Sequence, residues 1–385
     1  MFLEKTIETN LPLVKTCFDF HQKGLIQPDS YVIDLDTLLN NAKLILNEAN
    51  RQGIELYFML KQLGRNPYIA KELVKLGYSG AVVVDFREAQ VMMRHQIPIA
   101  NVGHLVQAPK CLLQELVDYG CKYYTVFSLE KIKDLNECAA KANKTVDLLL
   151  KVVGDNDMIY SGQTAGFHLN ELNEVVQEIK KMKNVSIQGV TSFPCFLYQE
   201  KAEKIQATPN FKTLLDAKHI LKENGIVIKN INAPSTTSVA TLKQMEGYEV
   251  NSGEPGHGLS GTTPLHAYTA CAELPCVCYV SEVSHNFNNR GYCYGGGHYR
   301  RSHVKNALVG KSYAESKMAG VIPPSLESID YYFELDQPCD VNDTVVMAFR
   351  FQIFVTRSQV CIIKGIHEQQ PELIGIYSSL GDEIK

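Results

Sequence analysis

Short apolar runs alternate with amphipathic stretches from about residue 30 to residue 255. YVIDLD (31–36) reads as a strand, and Leu38, Leu39, Ala42, Ile45, Leu46 and Ala49 recur at the spacing of one helix face, with Gly53 at its end. Further strands are predicted at 56–60, 81–84, 99–102, 123–126, 146–153, 185–190, 226–231 and 248–251. Amphipathic helices fit between them, for example over 129–142, 169–182 and 211–224. Counted from Leu56 this makes eight strands, each but the last followed by a helix. Apolar strands joined by helices pair in parallel, and eight such units have the size of a (β/α)₈ barrel. An open doubly wound sheet has the same periodicity. After residue 262 helical periodicity fades, and CVCYVSEV (276–283), 344–366 and ELIGIY (372–377) read as strands. The expected organisation is therefore α/β plus β: a TIM-type barrel over 1–262 and a C-terminal β domain over 263–385. The opening segment of about 30 residues is open to packing on the β domain.

Composition narrows the class. With 38 basic and 42 acidic side chains, the formal charge of −4 leaves no broad basic surface for nucleic acid or an anionic membrane. No apolar run reaches the roughly 20 residues needed to span a bilayer, and the opening MFLEKTIETN lacks the pattern of a secretory signal. Eleven cysteines are an odd, scattered set and read as reduced thiols. Cys271, Cys276 and Cys278 lack the companions of a metal site and read as buried thiols, so no metal is expected. A cytoplasmic enzyme is the expectation.

Three places carry candidate chemistry. Lys61 ends the apolar run YFML and precedes a glycine-containing loop. At the C-terminal end of a barrel strand a lysine is partly desolvated, and a neutral amine can form a Schiff base. NAPSTTS (232–238) offers a row of hydroxyls at a helix start, and NSGEPGHGLSGTTP (251–264) offers exposed backbone N–H groups. Loops after the seventh and eighth strands commonly hold phosphate in such barrels. Each signal has a bland alternative (a surface lysine, a helix cap, a hinge), and the combination is more specific than its parts.

Those segments, together with YVIDLDTLLNNAKLI, FREAQVMMR (86–94), DLLLKVVGDNDMIYSG (147–162) and GVTSFP (189–194), resemble the alanine-racemase-like, fold type III enzymes that use pyridoxal 5'-phosphate (PLP), and within them the YhfX-like branch. The resemblance implies a barrel followed by a β domain, a head-to-tail homodimer with a shared active site, and Lys61 as the residue forming the internal aldimine. It further implies phosphate contacts from Ser235, Thr236 and the backbone of Gly256 and His257.

Departures from the racemase pattern shape the chemistry. Arg65 stands where the family has a phosphate-binding tyrosine; it could pair with phosphate or form a loop salt bridge. Tyr160 replaces the arginine near the cofactor's phenolic oxygen, and Phe193 replaces the histidine that backs the ring. Glu254, in EPG, replaces an arginine; a carboxylate there favours a protonated pyridine and a deeper electron sink. EPG and QPCD (337–340) are similar to ornithine/diaminopimelate decarboxylases, which makes Cys339 a candidate acid and Asp340 a substrate contact, against the plain reading of Cys339 as a small core residue. For a second base, Tyr294, His298 and Tyr299 are chemically able. His104 reads as a polar strand end. The expected activity is amino-acid racemisation at Cα; the alternatives are PLP-dependent decarboxylation and a non-catalytic PLP carrier.

Overall fold

Apolar strands that end in small or amide residues, each followed by a capped amphipathic helix, build the first architecture. The computed structural model describes residues 2–385. The chain divides into two compact units. One comprises residues 45–60 and 70–256, the other the chain up to Leu44 together with 61–69 and 257–385.

The first unit is a parallel barrel. Its strands are Glu55–Leu56, Ala81–Val82, Ile99–Val102, Tyr123–Val126, Val146–Val153, Val185–Thr191, Asn230–Asn232 and Ser252–Gly253. Taken as strands one to eight, they lie side by side in the order 1-8-7-6-5-4-3-2. A parallel bridge from Phe58 to Ala81 joins the two outer strands and closes the ring. Crossover helices such as Phe86–Arg94, Leu129–Lys141 and Pro209–Glu223 follow their strands. Asp85 and Ser128 cap two of them, each accepting an N–H three residues on. At Gly189 any Cβ would lie 2.2 Å from the Asn230 carbonyl, so only glycine lets strands six and seven approach there.

The second unit is mostly antiparallel. Six strands, Val277–Phe287, Arg290–Tyr294, Tyr332–Leu335, Lys317–Ile322, Asn306–Gly310 and Thr344–Met347, close on themselves. Ser30–Asp34 extends this sheet, antiparallel to Val277–Phe287 and parallel to Gln359–Lys364. Helices Phe2–Thr9 and Leu11–Gln22 bury Leu3, Leu13, Val14 and Phe18 against Val32, Cys278, Val280, Val346 and Ile363. Asn10 caps the second helix and also donates to Asp34 Oδ2 at 3.0 Å, tying the helix to the strand. Cys276 and Cys278 are buried in this unit.

The barrel replaces the open-sheet alternative, while several strand limits differ from the sequence reading. The seventh strand begins at Asn230, not Ile226; Val227 is 83% exposed and precedes it as loop. The eighth is Ser252–Gly253 rather than 248–251, because Tyr248 packs its ring on Phe196 and Phe211 outside the ladder. The regular first strand is Glu55–Leu56, beyond which Tyr57, Phe58 and Met59 still hydrogen-bond to their neighbours, and Lys61 opens a 3₁₀ turn instead of ending a strand. At the eighth strand, tertiary packing of an aromatic side chain overrides strand propensity.

Candidate active site

Within the barrel, amide side chains converge on one carboxylate. Glu254 follows the eighth strand and is 5% exposed. Its Oε1 accepts from Asn232 Nδ2 at 2.8 Å and from Asn101 Nδ2 at 3.2 Å. Asn101 is itself fixed by the Thr125 hydroxyl, which donates to Asn101 Oδ1 at 2.7 Å. His104 Nε2 lies 3.8 Å from Glu254 Oε2, and the Glu254 N–H donates to Thr237 Oγ1 at 3.2 Å. Strands three, seven and eight thus fix this carboxylate, and neutral donors of this kind favour its charged form. Phe193 stands edge-on to His104, with centroids 5.9 Å apart, and 5.6 Å from Tyr160.

The loop after the seventh strand opens the helix Val239–Met245, capped by Ser238. Ser235 Oγ accepts the Phe196 N–H at 2.8 Å and keeps its own proton to donate. The Thr236 carbonyl accepts from Thr241 Oγ1, whereas Thr236 Oγ1 is buried with no partner among the described residues. Gly256 is buried two residues after Glu254.

Lys61, Arg65 and His257 fall in the second unit. Lys61 is partly buried at the head of the turn Lys61–Leu63. Gly64 and Arg65 both take left-handed backbone, at φ +66 and +54, and a Cβ on Gly64 would meet Val360 at 2.8 Å. Arg65 is 3% exposed and stacks over Phe354, 5.3 Å from its centroid. A left-handed arginine is an uncommon, strained state that packing must hold. His257 is buried: Nδ1 pairs with Thr262 Oγ1 at 2.9 Å, and Gln352 Nε2 lies 3.2 Å from Nε2. Arg350 Nε is 3.5 Å from the same nitrogen. Burial first, then the charges of Arg350, Lys61, His266 and Arg301, hold the imidazole well below its ordinary value. A neutral ring that donates from Nδ1 and accepts at Nε2 satisfies these contacts.

The candidates for a second base and an acid lie on the β unit. Tyr294 is 38% exposed at the end of its strand, grouped with Asp29, Tyr331, Tyr332 and Arg357. The N–H of His298 donates to Asp330 Oδ2, and burial lowers the His298 pKa. Tyr299 accepts from Arg301 Nε. Cys339 is half-buried on a surface shared with Lys311, Lys317, Asp340 and Asp343. Burial, then Asp343, Asp336 and Asp340, raise its pKa, so it stays a protonated thiol at neutral pH.

Asn101 and Thr125 were not singled out as functional by sequence reasoning, and Asn232 and Thr237 only as members of NAPSTTS, read as a hydroxyl loop. The available signal was an amide inside or ending an apolar strand, in IANV and NIN, where a buried polar group must find a partner.

A closed parallel barrel with polar groups at its C-terminal mouth, accompanied by an antiparallel β unit, defines a class of enzyme scaffold. The chain belongs to the alanine racemase family: the alanine racemase N-terminal domain matches residues 33–264, and the YhfX-like C-terminal domain matches residues 278–373. It is 42% identical to the uncharacterized protein YhfX of Escherichia coli K12, with all of both chains covered. It is 23% identical to alanine racemase 2 of Caldanaerobacter subterraneus subsp. tengcongensis over 68% of this chain and 66% of the relative. D-threonine aldolase from Filomicrobium marinum shares the fold, with a TM-score of 0.66 at 15% identity, covering 92% of this chain and 95% of that one. Racemases, decarboxylases, aldolases and dehydratases all occur among such neighbours.

The alanine racemase family is PLP-dependent. The residues present fit that cofactor: a buried carboxylate suited to a pyridinium, and a buried threonine hydroxyl without a partner in a loop suited to phosphate. No helix among the described residues is long and apolar enough to cross a membrane.

Proposed function

We propose that this chain is a PLP-dependent amino-acid racemase acting at Cα. The observation that carries the PLP chemistry at Cα is Glu254, buried and fixed by Asn101 and Asn232, and similarity to racemases puts racemisation first among its outcomes. Lys61 would hold the cofactor covalently, and Glu254 would face its ring nitrogen. Ser235, Thr236, the backbone of Gly256 and His257, and Arg65 would hold its phosphate, with Phe193 packing on the ring. When bound, PLP supplies the electron sink that acidifies the bond at Cα. Glu254 favours the protonated ring, and its two amide donors keep the carboxylate charged and oriented. Lys61 serves as the base on one face of Cα. Tyr294, from the partner in a head-to-tail homodimer, is our candidate for the other face, since racemisation needs a proton donor opposite the base.

Decarboxylation is the second reading, favoured by the same Glu254 and by Cys339 followed by Asp340. A thiol kept protonated by burial and by its acidic neighbours is equipped to deliver a proton. A non-catalytic carrier is the third.

The test is incubation of PLP-loaded protein with L- and D-amino acids in heavy water, with α-protons followed by NMR. Deuterium entering one amino acid as its enantiomer appears supports the racemase. An accumulating amine moves decarboxylation to first place. No exchange by a loaded dimer leaves the carrier.

A further inference from the structure

A column of polar side chains runs down the inside of the barrel below Glu254. Asn232 lies in register with Ser252 on the eighth strand, and partners in register share a face of the sheet. Asn230 and Glu254 stand two residues from them, on the same face. Asn101 on the third strand reaches Glu254 although the third and eighth strands are not neighbours, so this face is the lumen. Parallel barrels of this kind usually fill that space with branched apolar residues. Here Asn230, Asn232, Ser252 and Tyr57 occupy it, each at most 3% exposed.

The single hydroxyl proton of Ser252 lies between two amide oxygens, 2.7 Å from Asn230 Oδ1 and 3.2 Å from Asn232 Oδ1. Both amides therefore turn their oxygens to the serine and their NH₂ groups away. The Asn232 NH₂ donates to Glu254 Oε1 at 2.8 Å. The Asn230 NH₂ donates to the Tyr57 hydroxyl at 3.2 Å, and that hydroxyl donates to Glu55 Oε2 at 2.9 Å. Glu55 is paired with Lys122 at the start of the strands. Against burial, which raises it, hydrogen bonds from Lys122, Ser79 and Tyr57 hold the Glu55 carboxyl below its ordinary value. Donors thus run from Ser252 in opposite directions to two carboxylates, one at each end of the barrel. An asparagine side chain is nearly symmetric in shape, so its partners alone decide which end meets Glu254.

We propose that Ser252 is a positioning residue for Glu254. Its hydroxyl turns the Asn232 amide so that the NH₂, and not the oxygen, faces the carboxylate, while Asn230, Tyr57 and Glu55 hold that sense from the far end. An Asn232 turned the other way would set an amide oxygen against the carboxylate and disfavour its charge. That Glu254 faces the cofactor's ring nitrogen rests on the function proposed above; the orientation of the column does not.

The first measurement uses the full-length, cofactor-free protein, labelled with ¹³C at its glutamate carboxyls. Its protonation is followed by infrared spectroscopy from pH 8 to 4, with Glu254→Gln assigning the band. In Ser252→Ala the Glu254 midpoint rises by roughly 0.5–1 unit above the wild type. A serine that only packs or supports the strand lowers the melting temperature without moving this midpoint. Equal midpoints, or a Glu254 that stays ionised in both proteins to pH 4, overturn the proposal. Tyr57→Phe, two hydrogen bonds further down the column, raises the midpoint by a smaller amount, and it decides alone should Ser252→Ala not fold; an unmoved midpoint in it then overturns the proposal.

In PLP-loaded protein, Ser252→Ala lowers kcat for Cα exchange about 5- to 20-fold with little change in KM. With ¹⁵N-labelled PLP, the ring nitrogen loses its proton at lower pH in the variant than in the wild type. Failure of PLP to bind, or of any amino acid to exchange, refutes the racemase reading and leaves the infrared result intact. Exchange by a wild type whose Glu254 midpoint Ser252→Ala does not move refutes this proposal alone.

Discussion

Asn232 Nδ2 donates to Glu254 Oε1 at 2.8 Å, from the end of the seventh barrel strand to the residue that follows the eighth. With Asn101 donating to the same oxygen from the third strand, the carboxylate is held from three parts of the ring. Both donors are neutral amides, and the other oxygen, Oε2, has His104 Nε2 at 3.8 Å.

Glu254→Gln keeps the shape and the acceptor for both amides but removes the charge. We expect a folded protein that binds PLP with turnover reduced about 10- to 100-fold, the worth of a charge-assisted interaction of roughly 1.5–3 kcal/mol. Deuterium exchange at Cα, measured beside the melting temperature, reads both effects. Undiminished exchange would remove Glu254 from the chemistry.

Lys61→Ala is expected to bind PLP reversibly at most. Borohydride treatment followed by intact-mass measurement should add the cofactor's mass to the wild type only. Covalent label on the variant would place the reactive amine elsewhere.

His257 carries a pH prediction. Its proton affinity is depressed in the folded state, so below about pH 6.5 the unfolded chain binds a proton that the native one refuses, and stability falls with pH. His21 and His298, also depressed by burial, act in the same direction. Between pH 7 and 5 each such group removes up to about 2 kcal/mol. His257→Gln should shallow this acid limb in urea titrations. An unchanged slope would mean the ring is protonated in the native state.

Asp29 has the opposite sign. Burial pushes its carboxyl up to about 6, against hydrogen bonds from Ser358 and Tyr279 that lower it. The native state holds a proton that the unfolded chain releases near pH 4, so this group's contribution fades as pH rises from about 4 to 6. Asp29 also has a left-handed backbone, at φ +60, which asparagine tolerates well. Asp29→Asn is expected to raise stability at pH 7 by roughly 1–3 kcal/mol and leave it nearly unchanged at pH 4. A loss at pH 7 would show that the charge is needed.

Gly261, in the glycine-rich segment after Glu254, has φ +63, and a Cβ there would lie 2.2 Å from the Leu274 carbonyl oxygen. Gly261→Ala should therefore cost more than about 2 kcal/mol, seen as a lower urea midpoint. Glycine at this position answers a steric demand whatever the loop binds.

Much of this was legible along the chain. The helix over FREAQVMMR runs Phe86–Arg94, as its periodicity and the capping Asp85 indicate. Strands such as Ile99–Val102 and Tyr123–Val126 coincide with their apolar runs. Strand ends near the barrel mouth were harder to read: Val227 looks apolar but is exposed, and Tyr248 is taken by an aromatic cluster. NAPSTTS was legible as a hydroxyl loop, but not the division of labour in which Ser238 caps, Ser235 holds the Phe196 amide and the Thr236 hydroxyl stays unpaired.

The sequence by itself determined the alternation that makes a parallel barrel, the glycines that permit its close turns and strand contacts, and the family's lysine and EPG segments, because period and residue size act locally. Only the tertiary structure decided that Asn101, Asn232 and Glu254 meet. Those residues are far apart in the chain, and strand register, set by the closure of the whole ring, determines which side chains face one another.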